Sequence, residues 1–265
     1  MTEAEYRNHP AISRSELWHI LDSPQKFKYL KDHPSHPTPA LLLGQVFHKL
    51  VLEPNSFADE YVVTPIVDRR TKAGKERWAE FEEESAGKTI ITTEMYEQAA
   101  AMRSAVEQEP LAVKLLEGSR EVPFFWKDDV TGEECKCRTD CLNRNYSQPI
   151  VVDVKSTTDA STEAFTKDAI KYGYDFQTAM YSVGVEASIM EKPLFVFIAV
   201  EKTPPYAVNI LQADELLLRR GDRLYREALD TYHECKLTGN WYGYLGKNRQ
   251  INNLALPSWL AREVT

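Results

Sequence analysis

The sequence predicts an α/β protein of mixed α+β character, in which a central mixed β-sheet is flanked by helices. The first observation is a short apolar run, 150–152, which has the length and β-branched composition of a buried strand. The second is an alternating pattern over 121–142, which turn residues interrupt and which predicts a hairpin. The third is the recurrence of apolar residues every three or four positions on both sides of this hairpin, which is typical of helices.

Length and composition are those of an ordinary globular chain. Its 265 residues can bury a substantial core, and 43% are hydrophobic and 27% charged. No run approaches the roughly 18 apolar residues that a membrane span requires, and the polar N-terminus does not resemble a signal peptide. We expect a cytoplasmic protein without membrane association. A single domain over 1–265 is predicted, with a helical part at about 1–118, a core at about 119–236 and an aromatic-rich tail at 237–265.

Cysteine content and net charge exclude some classes of protein. The four cysteines are Cys135, Cys137, Cys141 and Cys235. Three of them cluster within seven residues without a C-x-x-C pair, which argues against a disulfide framework or a zinc ribbon and predicts reduced thiols. The net charge of −8 argues against a protein that coats nucleic acid through its whole surface. It leaves open a local basic channel, or an acidic site whose metal ions contact phosphate.

The first predicted elements are two short helices. Ser13 or Ser15 can cap the first, whose apolar residues recur at helical spacing, and the second spans 25–31. A loop rich in histidine and proline follows. Its His33 and His36 lack a rigid element that would hold them on a metal, so a metal site there is not expected.

A buried helix is predicted over 40–53, because only a narrow polar face interrupts its apolar residues. Gly44 lies four residues before His48 in this helix and would let another group approach the histidine closely. A histidine that is simply satisfied within the core is the alternative interpretation.

Two further helices are predicted before the hairpin. Residues 68–88 are highly charged around one apolar stripe, which is typical of a solvated helix. The basic patch at 69–75 is either a phosphate contact or ordinary surface. Thr93 then caps a helix at about 94–116.

The predicted hairpin runs from Glu121 to Trp126 and returns over 134–142. Alternation sorts the returning strand into two faces. One face suits a core of small thiols, and its members are Cys135, Cys137, Thr139 and Cys141. The other face is polar and lies towards a cleft or solvent, and its members are Lys136, Arg138 and Asp140.

The strand after the hairpin carries a carboxylate and an ammonium. Asp153 and Lys155 point to the same face, because side chains two residues apart in a strand share a face. The pair suits a metal site, and a solvated ion pair is the alternative. The short connection between the two strands can place Asp140 beside Asp153.

Helices and strands alternate in the rest of the chain. Helices are predicted at about 161–171, 174–190 and 213–236, and strands at 194–201 and 206–211. Gln177 and Tyr181 share one face of the second of these helices because they are four residues apart. Bracing of neighbouring elements is the alternative to a functional role for this pair.

Seven side chains form the candidate site: His48, Glu121, Asp140, Asp153, Lys155, Gln177 and Tyr181. Carboxylates from neighbouring strands bind hard cations such as Mg²⁺ through oxygen. One or two such ions can activate water and neutralise the charge that develops on a phosphodiester. A nearby lysine can orient or deprotonate the water, or stabilise the phosphate oxygens. The set therefore indicates metal-dependent phosphodiester hydrolysis.

An ordered series of motifs carries a family resemblance. The motifs are Ile12-Ser13-Arg14-Ser15, Gly44-x-x-x-His48, Thr139-Asp140, Asp153-x-Lys155, Gln177-x-x-x-Tyr181, Thr238 to Tyr244 and Leu256 to Trp259. Over nearly its whole length the chain resembles the PD-(D/E)xK nuclease superfamily, and within it the RecE-type (exonuclease VIII) phage and prophage recombination exonucleases. These are related to RecB-family nucleases and more distantly to lambda exonuclease. The resemblance implies a restriction-endonuclease-like core. Thr139 stands where the superfamily has proline, and Asp153 where several relatives have glutamate.

The resemblance also implies a set of metal ligands. Asp140 and Asp153 would be the principal ligands of Mg²⁺, with Mn²⁺ as an alternative ion, and the backbone carbonyl of Val154 would assist them. His48 would lie beside or on the metal. Glu121 corresponds to an acidic residue that is expected on the preceding strand and is a further candidate ligand.

The resemblance completes the catalytic set with residues beyond the ligands. Lys155 would be the catalytic lysine, acting with the two aspartates. Gln177 and Tyr181 would brace the catalytic strand and the DNA end. The candidates for a DNA contact at a 5′-phosphate are Ser13, Arg14 and Ser15, with helix capping as the alternative for the two serines.

The activity implied by the resemblance is that of a magnesium-dependent DNA exonuclease. It would degrade one strand of linear double-stranded DNA from an end, 5′ to 3′, and leave 3′ single-stranded overhangs for recombination by strand annealing. Relatives form ring-like homo-oligomers, often tetramers, and work with a single-strand annealing protein.

Two alternatives stay open at this point. One is a RecB-like repair or CRISPR-type nuclease of other polarity, and the other is a non-catalytic protein that binds DNA ends on the same fold. The iron–sulfur branch of RecB-like nucleases places one cysteine before the catalytic motifs and three after them. Here three cysteines precede Asp153 and one follows it, so no iron–sulfur cluster is expected.

Overall fold

The computed structural model describes residue 1 and residues 3–33 and 37–256. Parts of two predicted segments lie outside the described residues, namely Pro34 and His36 of the loop and Pro257, Ser258 and Trp259 of the tail. Within the described part of the chain, no helix has the length and apolar character needed to cross a membrane.

The first half of the chain is mainly helical. Its helices are α1 (Glu3–Asn8), α2 (Arg14–Asp22), α3 (Pro24–Asp32), α4 (Pro39–Leu52), α5 (Phe57–Glu60), α6 (Lys72–Glu84), α7 (Thr93–Gln108) and α8 (Pro110–Leu115), with a 3-10 turn at Pro54–Ser56. Its short strands are β1 (Ile12–Ser13), β2 (Tyr61–Val63) and β3 (Thr89–Ile91). Ser13 is the N-cap of α2, and its backbone N–H donates to the Glu16 carboxylate at 2.9 Å.

Pro110 divides the helix predicted at about 94–116 into α7 and α8. Proline has no backbone N–H and its ring clashes with the preceding helical turn, so α7 ends at Gln108. Glu109 then caps α8, because its carboxylate accepts a hydrogen bond from the backbone N–H of Leu111 at 3.2 Å.

The second half of the chain contains the main strands. They are β4 (Ser119–Lys127), β5 (Glu134–Asn143), β6 (Ile150–Thr157), β7 (Leu194–Glu201) and β8 (Val208–Gln212). The helices of this half are α9 (Thr162–Lys171), α10 (Tyr174–Ile189) and α11 (Glu215–Thr238).

The main sheet has the strand order β1-β5-β6-β7-β8, and β4 also pairs with β5. The pairs β4–β5, β5–β6 and β7–β8 are antiparallel, whereas β1–β5 and β6–β7 are parallel. The predicted fold class, a central mixed sheet flanked by helices, is therefore confirmed.

A hydrophobic core lies on each face of the sheet. Along β7, Phe195 and Phe197 pack with α2, α10 and α11, whereas Val196 and Ile198 pack with α4, α7 and α8. This alternation follows from the period of two in a strand. Because both faces are covered, β7 is apolar at nearly every position, and β6 is apolar over Ile150–Val152 and at Val154.

The thiol face predicted over 135–141 is wrong at its C-terminal end. Cys135 and Cys137 lie in the core with α10 and α11, whereas Cys141 lies in the opposite core. Strict alternation is lost where β5 exchanges its neighbour β1 for β6. In this stretch β5 faces Glu121 of β4, whose φ of 52° is outside the extended region. All four cysteines are buried free thiols.

The sheet opens beside β5. β1 pairs with the beginning of β5, and β6 pairs with the end of β5. The β5–β6 pairing stops at the pair Cys141–Val152. β4 occupies the other side of β5 along nearly its whole length, so β1 and β6 share one side. Asp140 and Asp153 are the next residues on the two strands, at the point where their pairing ends.

Candidate active site

Asp140 and Asp153 are buried where β5 and β6 separate, with 8% and 1% of their surface exposed. Asp140 Oδ2 accepts a hydrogen bond from the backbone N–H of Val154 at 2.7 Å, which links the carboxylate of one strand to the backbone of the other. Carboxylates buried to this extent require charged or hydrogen-bonding partners. Neighbouring elements supply these partners.

His48 reaches this opening from α4. Gly44, one turn earlier, allows α4 to lie close to β6, because a Cβ at Gly44 would be 3.3 Å from Ser156 Oγ. His48 Nε2 lies 2.9 Å from Asp140 Oδ2. The histidine is thus placed at the carboxylates instead of being satisfied within the helical core.

Glu121 approaches the other nitrogen of the same ring. Its Oε1 lies 3.6 Å from His48 Nδ1, and its Oε2 lies 2.6 Å from Arg138 Nε. The Glu121 and Arg138 side chains are 11% and 24% exposed. Since both nitrogens of an imidazole carry an N–H only when the ring is protonated, carboxylates on opposite sides of the ring favour its charged form and give it a defined orientation.

Asp153 is held on both of its oxygens. Lys155 Nζ lies 2.5 Å from Asp153 Oδ2, and Gln177 Nε2 on α10 donates to Asp153 Oδ1 at 2.5 Å. Lys155 Nζ also lies 5.1 Å from the centre of the Tyr174 ring at the start of α10. α10 therefore carries a donor to the strand carboxylate and an aromatic wall for the lysine.

The charges of the site shift one another's protonation. Burial disfavours the charged form of His48, but Asp140 and Glu121 outweigh it and raise the His48 pKa to about 9. Burial likewise opposes the Asp140 carboxylate, yet His48 and Lys155 hold the Asp140 pKa below its usual value. His48 and Asp140 are thus a charged pair at neutral pH.

Burial dominates the other two carboxyl groups. It raises the pKa of Glu121 to about 7, with His48 opposing the shift and Asp140 adding to it. It raises the pKa of Asp153 to about 6, although the Lys155 ammonium opposes the shift. Burial also opposes the charge of Lys155, but Asp153 and Asp140 raise the Lys155 pKa above its ordinary value.

Three of the candidate ligands are close enough to share one ion. A nitrogen of His48 and carboxylate oxygens of Glu121 and Asp140 lie within 4.8 Å of one another. Carboxylate oxygens suit Mg²⁺ or Mn²⁺, whereas imidazole nitrogens are more typical of transition-metal sites. Asp153 lies next to this group, because the backbone N–H of the following residue, Val154, donates to Asp140. The two carboxylate oxygens of Asp153 contact Lys155 and Gln177.

The remaining candidates border this group. Tyr181 lies one turn after Gln177 on α10, where its half-buried ring packs 6.4 Å from the Phe195 ring. Arg14 donates to the carbonyls of Tyr172 and Gly173, which precede α10, the second at 2.8 Å.

The two serines beside Arg14 differ in their environment. The Ser13 hydroxyl donates to the Glu16 carboxylate at 2.6 Å, so Ser13 is engaged in capping α2. Ser15 is exposed. A DNA contact by these three residues stays a prediction.

Sequence reasoning did not assign a role to Arg138 or Tyr174. The position of Arg138 on the same predicted polar face as Asp140 could have indicated a role for it. Its pairing with Glu121, however, depends on the neighbouring strand β4. Tyr174 lies three residues before Gln177 on the same helix, and only the packing of α10 on β6 places it at Lys155.

Two comparisons agree on the fold. Residues 13–252 match the family described as "PDDEXK-like domain of unknown function (DUF3799)". A crystal structure of a protein named "putative exonuclease" from Eubacterium rectale superposes with a TM-score of 0.66 at 13% identity, over 100% of this chain and 98% of that chain. At this identity the likeness shows the fold alone. The predicted restriction-endonuclease-like core is thereby confirmed.

A second solved structure is much less similar. The crystal structure of SSO0001 is 14% identical over 80% of this chain and 86% of that chain, with a TM-score of only 0.33. No curated protein sequence matches this chain.

Proposed function

The chain belongs to the PDDEXK-like family DUF3799, and from this premise we propose that it is a metal-dependent DNA nuclease. The observation that carries the proposal is the contact network at the opening of the sheet. His48, Asp140, Asp153 and Lys155 come from three separate elements and converge there, with two carboxylates almost fully buried. A buried concentration of ionisable groups of this kind is typical of a catalytic site.

The donor set fits a hard divalent cation. Asp140, Asp153 and Glu121 offer the carboxylate oxygens that Mg²⁺ and Mn²⁺ prefer, and His48 adds one nitrogen donor. Without a cation, the charge of His48, whose pKa the carboxylates raise to about 9, and the ammonium of Lys155 balance the carboxylates. Because a ligating histidine must be neutral, cation binding would release the His48 proton. We assign the ligand roles to His48, Asp140, Asp153 and the Val154 carbonyl.

Each residue of the site would contribute separately to hydrolysis. A bound cation would supply a Lewis acid that polarises the phosphodiester and activates water. Lys155 keeps its proton at neutral pH, since neighbouring carboxylates raise its pKa. It therefore suits stabilisation of phosphate oxygens better than proton abstraction. Gln177 would keep Asp153 in place through its 2.5 Å hydrogen bond, and Tyr181 would support the same helix.

The finer proposal is an exodeoxyribonuclease that uses Mg²⁺, degrades one strand 5′ to 3′ from a duplex end, and prepares 3′ overhangs for strand annealing. Its support is the series of motifs shared with RecE-type exonucleases and the name of the structural neighbour, "putative exonuclease". A ring-like homo-oligomer, an annealing partner, a role in phage recombination or DNA repair and a cytoplasmic location belong to the same proposal.

Digestion of end-labelled DNA tests the proposal. Linear duplexes labelled at the 5′ or the 3′ end, and a closed circular duplex, would be incubated with the protein in Mg²⁺ or in EDTA. We expect digestion of the linear duplex alone, release of the 5′ label first, and no digestion in EDTA. Asp153→Asn should lower the rate by more than about a hundredfold, because a positioned catalytic group contributes on this scale.

Asp222→Asn is the matched control, because Asp222 is an exposed aspartate on α11. It should leave the rate unchanged. Full activity of Asp153→Asn, or digestion that persists in EDTA, would contradict the proposed site. Cleavage of the circular duplex would contradict the exonuclease assignment alone.

A further inference from the structure

Glu121 has an unusual backbone for a residue in a strand. Its φ is 52°, and among the described residues it is the one non-glycine residue with positive φ inside a strand; Met190, Tyr206 and Arg249 lie at a helix end or in turns. Such a conformation is strained for a residue with a Cβ and persists only where surrounding contacts hold it. The contacts of the Glu121 side chain with Arg138 and His48 are therefore the ones that could hold this conformation.

Arg138 holds the Glu121 carboxylate from the side away from His48. The 2.6 Å contact between Arg138 Nε and Glu121 Oε2 is a charge-assisted one between largely buried side chains. Arg138 lies on β5 two residues before Asp140, and its guanidinium is 5.2 Å from the Tyr6 ring of α1. The guanidinium is thus supported by a separate element and acts as a fixed anchor for Glu121.

The two nitrogens of His48 face different carboxylates. Nε2 faces Asp140 at 2.9 Å and Nδ1 faces Glu121 at 3.6 Å. A neutral imidazole can offer a lone pair on Nε2 only when its proton is on Nδ1. In this structure the Glu121 oxygen lies just beyond hydrogen-bond distance from Nδ1. Once it closes on Nδ1 with a cation bound at Nε2, it would accept the Nδ1–H, favour that tautomer and fix the plane of the ring, as carboxylates behind metal-binding histidines do.

We propose that Glu121 and Arg138 are positioning residues: Glu121 is the acceptor for the Nδ1–H of His48, and Arg138 holds Glu121 there. Glu121 then acts through His48 and is not itself a metal ligand, which replaces the role expected from the sequence. This inference rests on the proposed function, since it requires a cation to bind at His48 and Asp140. It explains why a strained residue occurs in β4 at this point.

Cation binding in double variants tests the inference. Binding of Mn²⁺ to the full chain would be measured by titration calorimetry. Glu121→Ala and Arg138→Gln should each weaken binding by about 10- to 100-fold, the usual effect of removing a group behind a ligand. Glu121→Gln should weaken it much less, because the amide keeps an acceptor oxygen. In a His48→Ala background none of these substitutions should have any further effect.

Nitrogen NMR of the histidine side chains provides a second readout that does not depend on activity. In the Mg²⁺-loaded protein we expect His48 to be neutral with its proton on Nδ1. Arg144→Gln is the matched control, because Arg144 forms an exposed ion pair with Glu191, and it should change neither readout. Circular dichroism of each variant would show that the fold is retained.

The outcomes separate this inference from the proposed function. If the unaltered protein binds no cation, or if Asp140→Asn binds it equally well, the proposed function fails and the inference fails with it. If Asp140→Asn abolishes binding but Glu121→Ala weakens it in the His48→Ala background, Glu121 is a ligand and only the inference is overturned. A proton on Nε2 of His48 in the loaded protein would also overturn it.

Discussion

His48 shows how the surroundings of a single side chain determine its chemistry. In the buried helix α4 an isolated histidine would be neutral, because burial disfavours its charge. Asp140 and Glu121 reverse this and raise the His48 pKa to about 9. In the absence of a cation, the positive charges of His48 and Lys155 balance the carboxylates. A cation at these carboxylates would therefore take the place of the His48 proton.

Gln177 provides a test at the scale of one hydrogen bond. Gln177→Met keeps the length of the side chain but removes the donor to Asp153 Oδ1, which is 2.5 Å away. We expect kcat for DNA hydrolysis to fall by about 10- to 100-fold, because residues that orient a metal ligand usually contribute this much. Steady-state kinetics at saturating Mg²⁺ would measure the change.

Gln98→Met is the matched control for Gln177→Met. Gln98 also donates from its amide, to the partly buried Lys202 carbonyl at 2.7 Å, but it lies on α7. Turnover should be unchanged in this variant. Equal losses in the two variants would mean that Gln177 has a general structural role and no specific one at Asp153.

At the scale of elements, the turn of the β4–β5 hairpin is fastened to α11. Asp128 in the turn accepts hydrogen bonds from Arg226 on α11 at 2.8 Å and from the backbone N–H of Thr131 at 2.8 Å. Glu133 at the other end of the turn contacts His233 and Lys236 on the same helix. These contacts keep the hairpin that carries Asp140 in register with the helical layer.

The Asp128 contacts predict a pH-dependent contribution to stability. Burial disfavours the Asp128 carboxylate, but Arg226 and Thr131 outweigh it and lower the Asp128 pKa. A carboxyl group with a lowered pKa stabilises the folded state at pH values above its unfolded-state pKa of about 3.9. This stabilisation is lost as the pH falls through the folded-state pKa. Asp128→Asn should therefore lower the free energy of unfolding by about 1–3 kcal/mol at pH 7.

Urea unfolding at pH 7 and at about pH 3 would measure this difference, which should shrink at the acidic pH because Asp128 is then increasingly protonated in the unaltered protein. Asp129→Asn is the control, since the neighbouring Asp129 is exposed. If the free energies of unfolding of Asp128→Asn and Asp129→Asn differ by the same amount at both pH values, the contribution of Asp128 to stability is not ionic.

At the scale of the whole molecule, the first half of the chain is part of the same sheet as the second. β1 pairs with β5, and the helices of the first half form much of the core on one face. We expect the single domain predicted over 1–265 to unfold in one cooperative transition. Calorimetry and circular dichroism should give the same midpoint.

Ile12→Ala tests this cooperativity. Ile12 lies in β1 and is 1% exposed, so its truncation should destabilise the whole transition by about 2–5 kcal/mol. Ile66→Ala is the control, because Ile66 is 90% exposed, and its midpoint should not move. If Ile12→Ala separates the transition into two, the first half of the chain folds independently.

Local patterns in the sequence account for most of the elements. Alternation, apolar runs and helical spacing depend only on neighbouring residues, so β5, β7, α4 and α10 could be predicted close to their observed bounds. The errors have causes that periodicity does not include, one local and one tertiary. Pro110 divides a helix that the apolar spacing continues, and the alternation over 135–141 fails where β5 changes its neighbour.

The sequence by itself determined the main donor groups of the candidate site, because the spacing of Asp153 and Lys155 in a strand and of Gly44 and His48 in a helix is a local property. Only the tertiary structure decided how these groups face one another. The approach of Glu121 to Nδ1 of His48, its anchoring by Arg138 and its strained backbone all depend on packing between residues distant in the chain. Contacts of this kind are set by the sheet and the helices together, and no local spacing encodes them.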